Sequence, residues 1–236
     1  MVCNTGVRLT PLVDGKVHSF ETRGLYDGLS ILWDAETGTI WNHITGVGLD
    51  GPLAGRRLGP IGNLIHTTVE AALDADPDTR VAISERPIAR ETRWAALAEK
   101  VPALMPLFRN TMGREDTRRP TMDVGLGVWS DEEHARYYPL DALIQSDKVL
   151  FDRFGGRRVV IYFDPVARAP MAIFTAADRA TWKGTDLLLS TGEVLRRGTL
   201  YDTGGQPKAT ERPLQLFTRW YGWSLTFPRT SVHGKR

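Results

Sequence analysis

Up to position 45 the apolar residues come in short runs broken by polar ones, and the near-alternation predicts strands joined by tight turns. Residues 7–12 lead into Asp14-Gly15, a pair suited to the positive φ values of a two-residue hairpin turn. Residues 16–22 return with Val17 and Phe20 apolar. An apolar run at 29–33 ends at Asp34, Thr37-Gly38 turns the chain, and 39–45 follow with Ile40 and Ile44 set between polar residues. Gly46 to Gly62 carries six glycines and two prolines, which reads as loop. Thr67-x-x-Glu70 then has the form of a capping box, and with Val69, Ala72 and Leu73 it predicts a helix starting near Thr67.

The pattern changes over 85–121. Residues 92–101 show helical spacing through Trp94, Leu97, Ala98 and Val101, with Pro102 and Pro106 as breakers. Charged and proline-bearing residues follow up to Pro120, so this stretch reads as a connector. Strands are expected again at 124–129 and 134–138, then a short helix at 139–143. A hairpin turns at Gly155-Gly156, its return strand (159–163) apolar enough to be buried on both faces. Further strands are expected at 171–174 and 187–189. Pro213 suits a first helical turn, and Leu216, Trp220, Trp223 and Phe227 follow at spacings of four, three and four, predicting a helix with an aromatic stripe.

The two halves share an order of signals. The stretch from Trp33 to Ile40 parallels that from Leu188 to Val194, and in each half a glycine-bearing loop and a helix come next. Each helix is followed by a proline turn, at Pro77 and at Pro228. The expected fold is therefore α+β and β-rich: two pseudo-repeats of mainly antiparallel strands with a few short helices. Residues 1–112 would form repeat one with its connector helix, residues 113–236 repeat two, and the two would make one compact unit.

Composition narrows the partners. The 236 residues are 42% hydrophobic and 25% charged, enough for a real core. The formal net charge is +2, and the arginines lie in scattered pairs such as Arg56-Arg57 and Arg196-Arg197. Nucleic-acid binding needs a concentrated basic face, so no nucleic-acid partner is expected; a small ligand or a protein remains. No run approaches the ~18 apolar residues of a membrane span. No charged start precedes an apolar segment, as a signal peptide would require. As written, the chain is expected to be soluble and cytoplasmic.

Several stretches together resemble a known family. Cys3-Asn4-Thr5-Gly6, the Asp14-Gly15 hairpin, Glu36-Thr37-Gly38-Thr39-Ile40-Trp41 and Gly51-Pro52-Leu53-Ala54-Gly55-Arg56-Arg57-Leu58 are similar to the prokaryotic family called domain of unknown function 3179. The likeness continues through Ala135-Arg136-Tyr137-Tyr138-Pro139-Leu140, Phe154-Gly155-Gly156-Arg157 and Trp220-Tyr221-Gly222-Trp223. The resemblance implies a C-x-x-C element whose second cysteine is Cys3, with the first falling just before Met1. It also implies an upstream segment, so repeat one is expected to lack its front end. Many relatives look secreted or lipid-anchored, which would make the protein extracytoplasmic if a signal-bearing N-terminus is missing.

Candidate chemistry is sparse. Cys3 is the single cysteine, which excludes an intramolecular disulfide and a cysteine-cluster zinc site. Paired with a second thiol in a full-length form it would bind a soft transition metal or cycle through a disulfide; alone it packs. His43, following Trp41-Asn42 on a predicted strand, suits a general base or metal ligand, or points to solvent. Asp164 of Asp164-Pro165 holds, in repeat two, the place of the cysteine element in repeat one; turn capping explains it equally well. Cys3, His43 and Asp164 are thus the candidate catalytic residues, and Cys3 and His43 the candidate metal ligands. His18 and His66 are weaker, His134 and His233 show no partners, and Asp34 and Glu36 flank a turn. Phosphate-loop, dinucleotide, nucleophile-elbow and H-E-x-x-H motifs are missing. The expected function is a binding or structural protein with no complete catalytic constellation. A thiol- or metal-dependent enzyme and a carbohydrate-binding module using Trp220 and Trp223 are the alternatives.

Overall fold

A computed structural model describes residues 6–83, 85, 104, 106–131 and 133–234. Eight short strands open the chain: β1 (Val7–Thr10), β2 (Leu12–Val13), β3 (Lys16–Val17), β4 (Phe20–Tyr26), β5 (Leu29–Asp34), β6 (Ile40–Asn42), β7 (Gly48–Asp50) and β8 (Gly59–Asn63). Helices α1 (Val69–Ala75) and α2 (Pro106–Arg109) precede β9 (Val124–Trp129), β10 (Ala135–Pro139) and α3 (Leu140–Gln145). Next come β11 (Val149–Phe154), β12 (Arg157–Asp164), β13 (Ala169–Phe174), β14 (Ala180–Lys183), β15 (Asp186–Leu189), β16 (Val194–Arg196), β17 (Thr199–Tyr201) and β18 (Pro207–Lys208). The described chain closes with β19 (Leu214–Arg219), α4 (Trp220–Thr226) and β20 (Ser231–Val232). The protein is β-rich α+β, with helices that are few and short. None of the described helices is long and apolar enough to cross a membrane.

Local connections dominate, because two-residue and glycine turns bring consecutive strands back antiparallel. β4-β5-β6-β7 and β14 to β18 are meanders, β11-β12-β13 is a three-stranded sheet, and β2-β3 is a hairpin. Its turn is the expected Asp14-Gly15 pair, at φ 49° and 78°. The non-local pairings are β1 with β8 and the order β19-β9-β10-β20, in which β10 and β20 run parallel.

One cluster joins the two ends of the sequence. Trp220, Trp223 and Phe227 of the α4 region pack with Trp129, Tyr137, Leu29 and Ile44. Ring centroids lie 4.3 Å apart for Trp223–Phe227 and 5.0 Å for Tyr137–Trp220. Buried indoles need partners for their N–H groups. Trp220 donates to the Asp116 carbonyl at 2.8 Å and Trp223 to the Thr230 hydroxyl at 2.9 Å. Both tryptophans are 0% exposed, so the aromatic stripe is core and presents no sugar platform.

Three local expectations need correction. Leu216 belongs to a strand, because 214–219 pair residue for residue with β9, and that ladder outweighs helical spacing; Pro213 therefore precedes a strand. The glycine-rich stretch 46–62 contains β7 and all but the last residue of β8. Its glycines permit close backbone approach within sheets: a Cβ on Gly48 would sit 2.4 Å from the Leu53 carbonyl oxygen. Helix α1 is capped by Thr68, not Thr67, with the Thr68 hydroxyl accepting from the Ala71 N–H at 3.1 Å. Pro106 opens α2, a first-turn position where its missing N–H costs nothing. The expected helix at 92–101 lies outside the described residues.

Candidate functional site

The β5–β6 connection is organised by one buried carboxylate. Asp34 is 0% exposed. Its Oδ1 accepts from the Thr37 N–H at 2.6 Å, its Oδ2 accepts from the Trp41 indole N–H at 2.8 Å, and the Thr37 hydroxyl lies 2.8 Å from both oxygens. Burial alone would raise the Asp34 pKa. The bonds from Trp41 and Thr37 outweigh it and hold the carboxyl below its ordinary 3.8. Trp41, pinned at its N–H, is 0% exposed and backs a small cluster with Val13 and Leu58.

Past Trp41 the strand stops at Asn42, three residues earlier than alternation predicts. The Asn42 side chain accepts from the backbone N–H groups of Ile44 and Thr45, at 2.8 and 3.0 Å, and offers the chain a turn in place of a ladder. His43 therefore lies in that turn, not on a strand. Its half-buried ring lines two hollows. One, of about 250 Å³, is bounded by Tyr26, Asp27, Ser30, Asn42 and, from the end of α4, Thr226. The other, of about 320 Å³, is apolar, with Val7, Leu9, Phe20, Leu32 and Leu58. Burial pushes the His43 pKa below its ordinary 6.5, opposed in part by a hydrogen bond to the Ser30 backbone. The imidazole is neutral at pH 7.

Cys3 lies outside the described residues. Asp164 is 2% exposed and lines neither His43 hollow; its Oδ1 accepts from the Val166 and Ala167 N–H groups, both at 2.8 Å, and so caps a turn. A larger hollow of about 690 Å³ next to it is lined by Ile144, Asp147, Lys148, Pro165 and Trp182 and contains no histidine. His134 and His233, without visible partners in the sequence, acquire them. The His134 Nδ1 is 2.9 Å from Asp131, and His233 stacks on Tyr138 with centroids 5.3 Å apart. His66 lies edge-on to Phe217 at 5.8 Å. Sequence reasoning did not find Ser30, Tyr26 or Thr226 as neighbours of His43. Ser30 faces it through the β5–β6 register, and Thr226 only through the packing of α4, a contact that no local signal carries.

No curated protein and no solved structure matches this chain. The family described as Protein of unknown function (DUF3179) matches residues 1–230. That span covers every stretch quoted above for the resemblance, from Cys3 to Trp223. The chain belongs to that family.

Proposed function

We propose that the chain is a small-ligand-binding protein whose seat is the pair of hollows meeting at His43. One observation carries this reading: a single neutral imidazole lines both an apolar hollow and one of mixed lining, where Asp27, Ser30, Asn42 and Thr226 stand among aliphatic side chains. Small-molecule sites combine an apolar wall with a few placed polar groups. Here Leu9, Leu32 and Leu58 supply the wall, and His43, Asn42 and Ser30 the polar contacts. The ligand class that suits them is a compact apolar body with one uncharged polar end. Histidine-selective NMR tests this with a set of small aromatic alcohols and amides. The His43 ring is expected to titrate below pH 6.5, and some of these probes should shift its signals while leaving exposed His134 unmoved. Filling the apolar hollow by Leu9→Trp should abolish that response. If no probe moves His43, or if Leu9→Trp leaves the response intact, the reading is wrong.

A second reading, thiol-dependent chemistry with a soft metal in a longer form, is favoured by one feature. Gly6 and Val7, which follow Cys3-Asn4-Thr5 in sequence, line the apolar hollow with His43. A neutral imidazole within reach of a thiol can take its proton as general base, so on this reading alkylation of Cys3 by iodoacetamide at pH 7 should slow in His43→Ala. Equal rates in the two proteins would refute it.

A further inference from the structure

Two buried side-chain nitrogens among the described residues lack any hydrogen-bond partner, and one is the Nδ1 of His18. A buried polar atom without a partner destabilises the fold, so its surroundings call for a ligand. His18 follows β3 and is 7% exposed. Its Nδ1 points at two carboxylates, 3.4 Å from Asp34 Oδ1 and 3.9 Å from Glu36 Oε2. The three donor atoms all lie within 4.8 Å of one another. Neither 3.4 Å contact geometry nor the longer one makes a hydrogen bond here, yet both are close to the spacing a metal imposes. Bonds of about 2.0–2.2 Å from a tetrahedral cation place its ligands roughly 3.3 Å apart.

We propose that His18, Asp34 and Glu36 bind a divalent transition cation of the zinc type. One imidazole and two carboxylates form a borderline donor set that suits such an ion, and two negative charges with a neutral ring balance its charge. The carboxylates are held in place before any ion arrives. Asp34 is oriented by the Trp41 indole and by Thr37, and Glu36 Oε2 accepts from the Ser19 N–H at 2.8 Å. The Thr37 hydroxyl has one proton to share among both Asp34 oxygens and Thr39, 2.6 Å away, which leaves Asp34 lone pairs for a cation. Bonds of this kind set ligand direction and basicity in metal sites. The Glu36 side chain is 40% exposed, which opens the site to solvent and leaves room for water in the remaining positions. The site is distinct from the His43 hollows, whose lining contains none of the three residues.

Equilibrium dialysis of the full chain against zinc chloride, with cobalt(II) absorption as a second probe, tests the assignment. One zinc per chain is expected, together with the intense visible bands of low-coordinate cobalt. His18→Gln should abolish both. Glu36→Gln keeps an oxygen for the Ser19 N–H and changes a surface residue, so it should fold normally and bind at least ~10-fold more weakly. Thr37→Val, which removes an orienting hydroxyl, should cost ~10–100-fold. Cys3→Ser and His43→Ala should bind like the parent, which separates this site from the hollows. Zinc uptake well below one equivalent in the parent overturns the proposal. So does unchanged binding in folded Glu36→Gln, or loss of zinc on Cys3→Ser or His43→Ala.

Discussion

Gly127→Ala is expected to lower stability by about 3 kcal/mol, the upper end of the usual overpacking cost. Gly127 lies in the middle of β9, paired on one side with Tyr137 and on the other with Leu216. A Cβ there would fall 2.2 Å from the Trp223 ring, well inside van der Waals contact. The ring has nowhere to retreat: it is 0% exposed, with Phe227 at 4.3 Å and Trp129 at 5.8 Å. The strand cannot move either without breaking two ladders. Urea unfolding would show the loss as a lower midpoint at unchanged slope. Combining Gly127→Ala with Trp223→Leu should cost less than the sum of the two single changes, since the smaller side chain vacates the contested space. A loss under about 0.5 kcal/mol for Gly127→Ala, the range of an ordinary surface change, would show that α4 does not press on β9 as described.

Asp34→Ala is expected to cost a similar amount, about 3 kcal/mol, for the opposite reason: it leaves donors without acceptors. The Trp41 indole N–H and the Thr37 backbone N–H would both lose their partner. Each buried orphan costs about 1–3 kcal/mol. Asp34→Asn, which retains one carbonyl oxygen, should cost less. The pH dependence has a definite sign. Because the folded-state pKa of Asp34 lies below 3.8, the unfolded chain takes up the proton first as pH falls. The stability owed to the carboxylate is therefore fully present above about pH 5 and is lost as pH drops through its folded value. Denaturation midpoints measured from pH 6 to pH 3 should fall more steeply for the parent than for Asp34→Asn. Parallel curves would mean that Asp34 is not held as an anion by Trp41 and Thr37.

The two experiments probe different ends of one construction. Gly127 reports on the aromatic core that joins β9 and β10 to the end of the chain. Asp34 reports on the turn that sets Trp41 in place and, one residue beyond Asn42, His43. The same carboxylate is shared by the turn and by the cation site. A protein saturated with zinc should for that reason resist urea more than the free protein, by the linkage that any ligand of the folded state provides.

Much of the strand content was legible from short-range chemistry. Asp14-Gly15 and Gly155-Gly156 specify hairpins because few other pairs accept two positive φ values, and the run from Val159 to Phe163 is too apolar to be anything but interior. The family likeness was likewise carried by local stretches such as Glu36 to Trp41 and Gly51 to Leu58. Each of these signals lies within a few residues, where backbone preference and period decide. Other features depended on partners distant in the chain. Leu216 has helical spacing to Trp220 yet pairs with Gly127, because a six-residue ladder outweighs a spacing that only α4 honours. Gly48, Gly59 and Gly62 looked like loop punctuation and instead let neighbouring backbone and side chains approach their strands. His43 was identifiable as a candidate, but its two hollows exist only because β1, β5 and the end of α4 converge on the turn after β6. His18, ranked low by sequence, meets Asp34 and Glu36 because the β2–β3 hairpin folds onto the β5–β6 turn. The sequence by itself determined the strand-rich class, the tight turns and the buried runs, which follow from properties of adjacent residues. Only the tertiary structure decided which carboxylates face which histidine, since those distances are set by packing between segments that no local pattern links.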